Sequence, residues 1–262
     1  MGAKVRTGIA GLDDLFYGGI LEGNIILLEG IPGAGKTTLF IYRGIEKFNE
    51  PGIILTFEQF PEALYRDASN FGWDLRNLER CNKLRVVCTS PETVLSPESV
   101  IIEEAVREIG ARRLLVDSVS HFHQVIAEPL KLRQAFYSFC NGLRRLGLTP
   151  LLVKEQRHTG ESDYSFEEFI VDVVILLDYA SHGPWHRQRN IEVVKSRGQA
   201  HVPRKHSLQI GEKGARVFVL NSLISGEIRA SWRPLVKTGI EGLDEVLGGG
   251  FPRGASILVH PC

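Results

Sequence analysis

A glycine-rich octapeptide between an apolar run and a helical pattern constrains the fold of this chain more than any other feature. The apolar run IILLE precedes it, and residues 36–48 follow it with apolar side chains at helical spacing. The octapeptide satisfies G-x-x-x-x-G-K-[ST] and reads Gly30-Ile31-Pro32-Gly33-Ala34-Gly35-Lys36-Thr37. A strand, a tight glycine loop and a helix in this order are typical of a P-loop.

The octapeptide predicts a binding site for the phosphates of ATP. Its glycines let the backbone wrap tightly, so that N–H groups of residues 30–35 point at phosphate oxygens near a helix N-terminus. Lys36 is expected to bring positive charge to the β and γ phosphates, and the Thr37 hydroxyl to bind Mg²⁺. Thr38 adds a second hydroxyl close to the α-phosphate. The predicted ligands are therefore ATP and Mg²⁺.

The chain also contains an internal repeat. Residues 5–29, VRTGIAGLDDLFYGGILEGNIILLE, return at residues 236–260 as VKTGIEGLDEVLGGGFPRGASILVH, without a gap. The second copy stops where the first copy enters the glycine-rich loop. We therefore expect one complete domain over residues 1–230, followed by a linker and the opening segment of a second, truncated copy over residues 231–262.

Strand-like and helix-like patterns alternate through the complete domain. Short apolar runs predict strands at residues 53–57, 84–89, 114–117 and 151–155, and helical patterns lie between them at residues 61–71, 97–109 and 130–146. Ser96 and Pro97 resemble the start of the helix at residues 97–109. Further strand runs follow from residue 171 without a long helix. This order predicts an α/β fold with a mostly parallel sheet flanked by helices and a C-terminal antiparallel extension.

Two carboxylates follow predicted strands. Asp117 ends the run LLVD, which places one acid where a P-loop protein holds its metal. Glu58 ends ILTFE, on a strand expected to neighbour the P-loop strand, and is a candidate for orienting and polarising an attacking water. The alternative for each is a cap or a solvated carboxylate at the end of a strand.

These motifs together resemble the KaiC domain family of RecA-like P-loop ATPases. The resemblance rests on TGI-x-GLD, the P-loop, FEQFPEAL with FGWDL, LLVDS and VVKSRG in this order, and it covers the whole complete domain. It implies a RecA-type core, and family members commonly assemble as hexameric rings with ATP between subunits. The second TGI-x-GLD copy resembles the family's tandem layout.

The resemblance also sets limits on the expected activity. The family often carries two adjacent acids after the second strand, where this chain has Glu58 and Gln59, so one candidate base remains and hydrolysis is expected to be slow. The circadian member autophosphorylates a Ser/Thr pair ahead of a strand. This chain has Glu168 and Phe169 at that position, so autokinase activity is not carried over.

A basic segment lies between residues 182 and 206. The resemblance implies that its KSRG motif reaches the ATP of an adjacent subunit, with Arg197 as an arginine finger, Lys195 as a second cation on the γ-phosphate and His201 nearby. Two alternatives stay open: a solvated basic hairpin, and a nucleic-acid surface on which Trp185 stacks.

Composition narrows the function classes. Lysines and arginines number 31 and acids number 31, so a global polyanion binder is not indicated. The cysteines show neither CxxC spacing nor a histidine at ligand spacing, and no apolar run reaches the roughly 18 residues of a membrane span. We expect a cytoplasmic homo-oligomeric ATPase that controls assembly or an unidentified protein partner. The alternatives are a RadA-like ATPase acting on DNA and a weakly hydrolysing ATP-dependent scaffold.

Overall fold

A nine-stranded sheet forms the centre of the first of two compact units, Met1–Leu220 and Asn221–Cys262. The computed structural model describes residues 2–31, 33, 36, 45, 49–156, 165–181, 187–211, 214–219, 235–253 and 257. The predicted helix after the P-loop therefore lies almost wholly outside the described residues, as do Thr37, Thr38 and Trp185. Each unit is described by itself.

In the part of the first unit that the structure describes, the strands are β1 (Lys4–Val5), β2 (Ile20–Leu21), β3 (Ile26–Gly30), β4 (Gly52–Thr56), β5 (Leu84–Cys88), β6 (Arg113–Asp117), β7 (Thr149–Glu155), β8 (Val173–Ser181), β9 (Arg187–Ser196), β10 (Lys205–Gly211) and β11 (Gly214–Phe218). The helices among its described residues are α1 (Leu12–Leu15), α2 (Pro61–Ser69), α3 (Leu75–Arg80), α4 (Pro91–Leu95), α5 (Ile101–Ile109), α6 (Phe122–Val125), α7 (Pro129–Arg145) and α8 (Phe166–Ile170).

The order of strands in the large sheet is β11-β10-β9-β8-β3-β7-β6-β4-β5. The six strands from β8 to β5 run parallel, and β9, β10 and β11 continue the sheet antiparallel beyond β8. The predicted α/β class, with its C-terminal antiparallel extension, is confirmed. Among the described residues, no helix has the length and apolar character needed to cross a membrane.

Alternate residues of the parallel strands pack into two separate hydrophobic cores, one on each face of the sheet. Ile26 and Leu28 of β3 pack on one face with α1, α2 and α3, whereas Ile25 and Leu27 pack on the other face with α5, α6 and α7. Parallel strands covered by helices on both faces are buried on both sides, which explains their unbroken apolar runs. Glu29 follows Leu27 on the second face, and this position matters below.

Two local predictions are wrong. The strand that precedes Glu58 does not neighbour the P-loop strand, because β7 and β6 lie between β3 and β4. Ser96 does not start a helix. Instead Ser90 caps α4, accepting a hydrogen bond from the Thr93 amide at 3.3 Å, and Ser96 ends that helix. Both positions are Ser-Pro dipeptides, so the local signal did not distinguish them.

The two copies of the repeat share a threonine–aspartate hydrogen-bond pair and the same order of short elements. In the first copy the Asp13 carboxylate accepts hydrogen bonds from the Thr7 amide at 2.7 Å and the Thr7 hydroxyl at 2.8 Å. In the second copy Asp244 accepts the same pair from Thr238, at 2.8 and 2.7 Å. A short antiparallel strand pair flanks a short helix in each copy, and in the second the elements are β12 (Leu235–Val236), α9 (Glu241–Val246) and β13 (Phe251–Pro252).

The first copy is built into its own domain. Its Ala10 carbonyl accepts a hydrogen bond from the Val217 amide of β11 at 2.8 Å, and the Leu15 carbonyl accepts one from the Val202 amide at 2.8 Å. Leu12 and Leu15 are completely buried. The opening motif therefore covers the end of the antiparallel extension.

Candidate active site

The carboxyl ends of four parallel strands bring the P-loop, Asp117 and Glu58 to one edge of the sheet. Gly30 at the end of β3 pairs with Glu155 of β7, and Asp117 at the end of β6 pairs with both Val153 and Thr56. Open parallel sheets bind ligands outside the carboxyl ends of their strands. This edge is therefore the candidate active site.

Lys36 lies at this edge and is buried. Its ammonium group donates hydrogen bonds to the Gly30 carbonyl at 2.6 Å and the Ile31 carbonyl at 3.2 Å, both at the start of its own loop. Burial lowers the pKa of Lys36, while the negative charges of Glu155 and Asp117 act in the opposite direction. The ammonium group thus lies among acceptors with two carboxylates nearby.

The glycines of the described part of the loop are required by the backbone. A side chain at Gly30 would place its Cβ 2.9 Å from the Leu177 carbonyl oxygen of β8. Gly33 has a φ of +77°, which L side chains rarely adopt. Of the predicted nucleotide ligands, Pro32, Ala34, Gly35, Thr37 and Thr38 lie outside the described residues.

Glu58 lies two residues beyond the end of β4, and its side chain is 74% exposed. One of its carboxylate oxygens is 3.4 Å from Nε2 of His121, in the turn after Asp117, while its neighbour Phe57 packs edge-on against the same imidazole. The structure places Glu58 at the same edge as Asp117, separated from the P-loop strand by two strands.

Glu155 is the residue at this edge that the predicted site omitted. It is the last residue of β7, it pairs directly with Gly30, and the next amide, of Gln156, donates to the Gly30 carbonyl at 3.1 Å. Its own amide donates to the Ser120 hydroxyl at 2.9 Å. The signal in the sequence was an acid at the end of the apolar run LLVKE, the same signal that identified Asp117.

Lys195 and Arg197 lie elsewhere, against the last turn of α8. The Lys195 ammonium donates to the carbonyls of Glu168 and Val171, the latter at 2.7 Å. The Arg197 guanidinium donates to the Phe169 carbonyl at 2.8 Å and lies 3.9 Å from Asp172. Cations at a helix C-terminus are favourable because the terminal carbonyls carry partial negative charge.

These two cations are at the opposite edge of the sheet from their own P-loop. Lys195 pairs with Val174 and the Arg197 amide donates to the Asp172 carbonyl, whereas Gly30 pairs with Leu177. Leu177 lies five residues beyond Asp172, which is about 16 Å of extended chain, and three residues beyond Val174, which is about 10 Å. Neither cation reaches the P-loop of its own chain in this arrangement.

His201 lies half-buried in the segment between β9 and β10. That segment is held against the opening motif, since the Gln199 side chain accepts a hydrogen bond from the Leu21 amide at 2.9 Å. The structure therefore places His201 apart from Lys36 and Asp117.

Two further basic residues of the segment, Arg189 and Lys205, have partners of their own. Arg189 donates to the Tyr179 hydroxyl at 2.8 Å, and that hydroxyl donates to the Gly33 carbonyl at 3.2 Å, so this pair lies at the P-loop edge. Lys205 forms an ion pair with Asp178. Cations at both edges of the sheet, each with a neighbouring partner, do not favour a continuous nucleic-acid surface.

Comparison with known proteins decides the family. The profile of the family described as ATPase: KaiC matches residues 5–222. This chain belongs to the KaiC family of ATPases.

KaiC relatives confirm the match over nearly the whole chain. The circadian clock oscillator protein KaiC of Synechococcus elongatus is 32% identical over 274 residues, which cover 98% of this chain and 51% of that protein. The protein of the same name from Picosynechococcus is 33% identical over 270 residues, covering 97% and 52%. The chain spans about half the length of the curated KaiC relatives it matches.

A solved KaiC-like structure agrees with the fold. The crystal structure of a KaiC-like protein from Pyrococcus horikoshii has a TM-score of 0.75 and 33% identity, and covers 84% of this chain and 100% of its own. The predicted RecA-like core is therefore confirmed.

The described residues fit a KaiC-type site for MgATP. Gly30 and Gly33 keep the loop free of side chains, Lys36 supplies a positive charge, and Asp117 supplies an oxygen ligand of the kind Mg²⁺ prefers. Among the described residues there is no cluster of three metal-ligating side chains, so Mg²⁺ would depend on the phosphates, Asp117 and Thr37 together.

Proposed function

We propose that this protein binds MgATP between subunits of a homo-oligomer, as a hexameric ring, and hydrolyses it to control assembly or the binding of a protein partner. Each site takes its P-loop and carboxylates from one subunit and its finger cations from the next. The family match supports ATPase chemistry, and the position of the cations supports the sharing of sites.

Within one subunit, the proposed roles follow from charge and position. Lys36 exchanges its two loop carbonyls for phosphate oxygens of ATP, which accept charge-assisted hydrogen bonds. Asp117 and Thr37 would hold Mg²⁺, which when bound would supply positive charge beside the phosphates. Glu58 orients the attacking water and accepts its proton, which its exposed position permits.

The observation that carries the proposal is the separation between the P-loop and the KSRG cations. Arg197 lies about 16 Å of strand and Lys195 about 10 Å of strand away from their own P-loop, which supports a role at the site of another subunit. His201, further along the same segment, is proposed to lie near that nucleotide as well. A cation supplied by a neighbour makes hydrolysis depend on assembly.

The surface around Arg197 supports burial against another copy. Leu130 and Tyr137 on α7 and Phe169 on α8 are among the exposed large apolar residues, and they line one groove with Arg197. Clustered apolar side chains on a surface usually mark an interaction site.

Light scattering with and without MgATP, on the sample used for a phosphate-release assay, tests this function. We expect a larger species in the presence of MgATP. We also expect the rate of phosphate release per subunit to rise with protein concentration, as the assembly forms. A monomer that hydrolyses ATP at a concentration-independent specific rate would contradict the shared site.

A weakly hydrolysing ATP-dependent scaffold is the second candidate. It is favoured by the sequence at Glu58, which has Gln59 rather than a second acid beside it. Assembly with MgATP but without measurable turnover would identify this function. The KaiC match does not favour the RadA-like alternative, and salt-dependent binding of single-stranded DNA would be needed to revive it.

Autokinase activity is not part of the proposal. The Glu168 carboxylate accepts hydrogen bonds from the amide and hydroxyl of Ser165, at 2.9 and 3.1 Å, and so caps α8. The domain assignment, residues 1–230 with a second opening segment in 231–262, and the cytoplasmic location stay predictions.

A further inference from the structure

A buried charged cluster links the P-loop strand to α8. Glu167 of α8 is only 2% exposed, and its carboxylate contacts Nε2 of His123 at 2.7 Å and the Lys154 ammonium at 3.1 Å. Lys154 also contacts Glu29 at 3.2 Å. Burying a carboxylate is costly unless it is paired, so these contacts define where α8 can lie.

The members of this cluster occupy specific places around the active site. Glu29 immediately precedes Gly30, the first residue of the P-loop, and Lys154 immediately precedes Glu155 at the site edge. His123 lies in α6, shortly after Asp117. The cluster therefore contacts three of the segments that build the nucleotide site of the same subunit.

The other end of α8 holds the cations. Carbonyls of Glu168, Phe169 and Val171, within four residues of Glu167, accept the hydrogen bonds of Lys195 and Arg197. Because α8 is only five residues long, a shift at Glu167 moves these carbonyls with it. Displacements near 1 Å are enough to lower rates strongly when a group must be positioned.

We propose that Glu167 is a positioning residue: by fixing α8 to Lys154 and His123, it sets where Lys195 and Arg197 lie when they act on the neighbouring subunit's ATP. This inference rests on the proposed sharing of sites. It assigns the buried cluster to the cation-donating side of each subunit, although the cluster lies beside that subunit's own P-loop.

The kinetics of Glu167→Gln distinguish this role from a defect in nucleotide binding. We expect kcat of the assembled protein to fall about ten- to a hundredfold, while KM for ATP stays within about twofold, since the P-loop is unchanged. Glu103→Gln is the matched control, because it removes a carboxylate from an exposed ion pair with Arg107 on α5. A raised KM with unchanged kcat would overturn the proposal.

Mixed oligomers give the sharper test. Glu167→Gln subunits mixed with Lys36→Ala subunits should recover activity, because one interface pairs an intact P-loop with correctly held cations. In a random equal mixture this is about one interface in four. Glu167→Gln subunits mixed with Arg197→Ala subunits should not recover activity, since neither variant supplies a correctly placed Arg197.

Other outcomes of the mixing test contradict the inference in identifiable ways. Recovery with Arg197→Ala would place Glu167 on the P-loop side, and recovery with neither, in folded mixed oligomers, would show a general structural role. If Lys36→Ala and Arg197→Ala fail to complement each other, the shared site itself is wrong. If Glu167→Gln fails to fold, His123→Phe replaces it, because this variant keeps a ring beside Phe166 and leaves the contact between Glu167 and Lys154. It should show the same complementation pattern with a smaller loss of kcat.

Discussion

At the scale of single residues, the cation proposed to bind phosphate and the carboxylate proposed to accept a proton lie in different environments. Lys36 is buried, its ammonium group donates hydrogen bonds to two loop carbonyls, and the charges of Glu155 and Asp117 favour its protonated form. Glu58, in contrast, is exposed and contacts His121. A buried cation suits binding of phosphate, and an exposed carboxylate suits access to water. These different environments lead to different expected effects of substitution.

Lys36→Ala should weaken MgATP binding by roughly 10- to 100-fold, because a charge-assisted hydrogen bond to phosphate is lost. Titration with a fluorescent ATP analogue measures the affinity, and circular dichroism checks the fold. Lys237→Ala, an exposed lysine of the second unit, is the control and should bind normally. Equal affinity for the two variants would remove the P-loop assignment.

Glu58→Gln should leave ATP binding nearly normal and lower hydrolysis on the order of 10²–10⁴-fold, since an amide accepts a proton poorly. Phosphate release in single-turnover conditions measures the chemical step, and Glu62→Gln on exposed α2 surface is the control. If turnover is unchanged, the base is elsewhere, and Glu155→Gln is the next variant to measure because Glu155 pairs directly with Gly30.

The charge state of Glu167 predicts a pH dependence of stability. Burial raises the pKa of Glu167, but the hydrogen bond from His123 and the charge of Lys154 outweigh it and hold the pKa at about 2, below the ordinary 4.5. A carboxyl group with a lowered pKa in the folded state stabilises the fold at pH values above its pKa in the unfolded chain. This stabilisation is lost as the pH falls from about 4.5 towards 2. Urea unfolding at several pH values should show the wild-type advantage over Glu167→Gln shrinking in that window. A constant difference would contradict the paired state of Glu167.

At the scale of elements, the same opening motif has different surroundings in its two copies. A Cβ at Gly11 would lie 2.0 Å from the Val217 carbonyl oxygen, and the φ there is +81°. Among the described residues, no atom lies within 4 Å of a Cβ built on the equivalent Gly242. The shared threonine–aspartate hydrogen bonds therefore coexist with different packing around the two glycines.

Gly11→Ala should lower the free energy of unfolding of the first unit by at least ~2 kcal/mol, from backbone strain and the clash with β11. Gly242→Ala should change it by less than ~0.5 kcal/mol. Chemical denaturation followed by circular dichroism compares the two. Equal losses would show that the first copy is not packed on β11 as described.

How much the sequence predicts also differs by element. Lys36 and Asp117 belong to short contiguous motifs. Both motifs come at the carboxyl end of a strand in a predicted parallel sheet, which places them at the same edge whatever the order of the strands. The separation of β4 from β3 did not follow, because strand order depends on contacts between distant segments. The Glu29–Lys154–Glu167–His123 cluster was missed for the same reason, since its members come from four separate elements and none carries a motif alone.

At the scale of the whole molecule, the proposed function implies that a single subunit is incomplete as an ATPase. The P-loop, Asp117 and Glu58 lie at one edge of the sheet, and Lys195 and Arg197 lie at the other. A ring of subunits in head-to-tail contact would bring each P-loop to the cations of a neighbour. The central claim is therefore that catalysis requires two chains.

Mixing Arg197→Ala subunits with Lys36→Ala subunits tests that claim most directly. Each variant alone should hydrolyse little ATP, since finger cations in related enzymes contribute roughly 10³–10⁵ in rate. Once sizing has shown mixed oligomers, we predict that phosphate release recovers to about a quarter of the wild-type rate, from interfaces that combine an intact P-loop with an intact Arg197. Mixed oligomers that form and stay inactive would contradict the account.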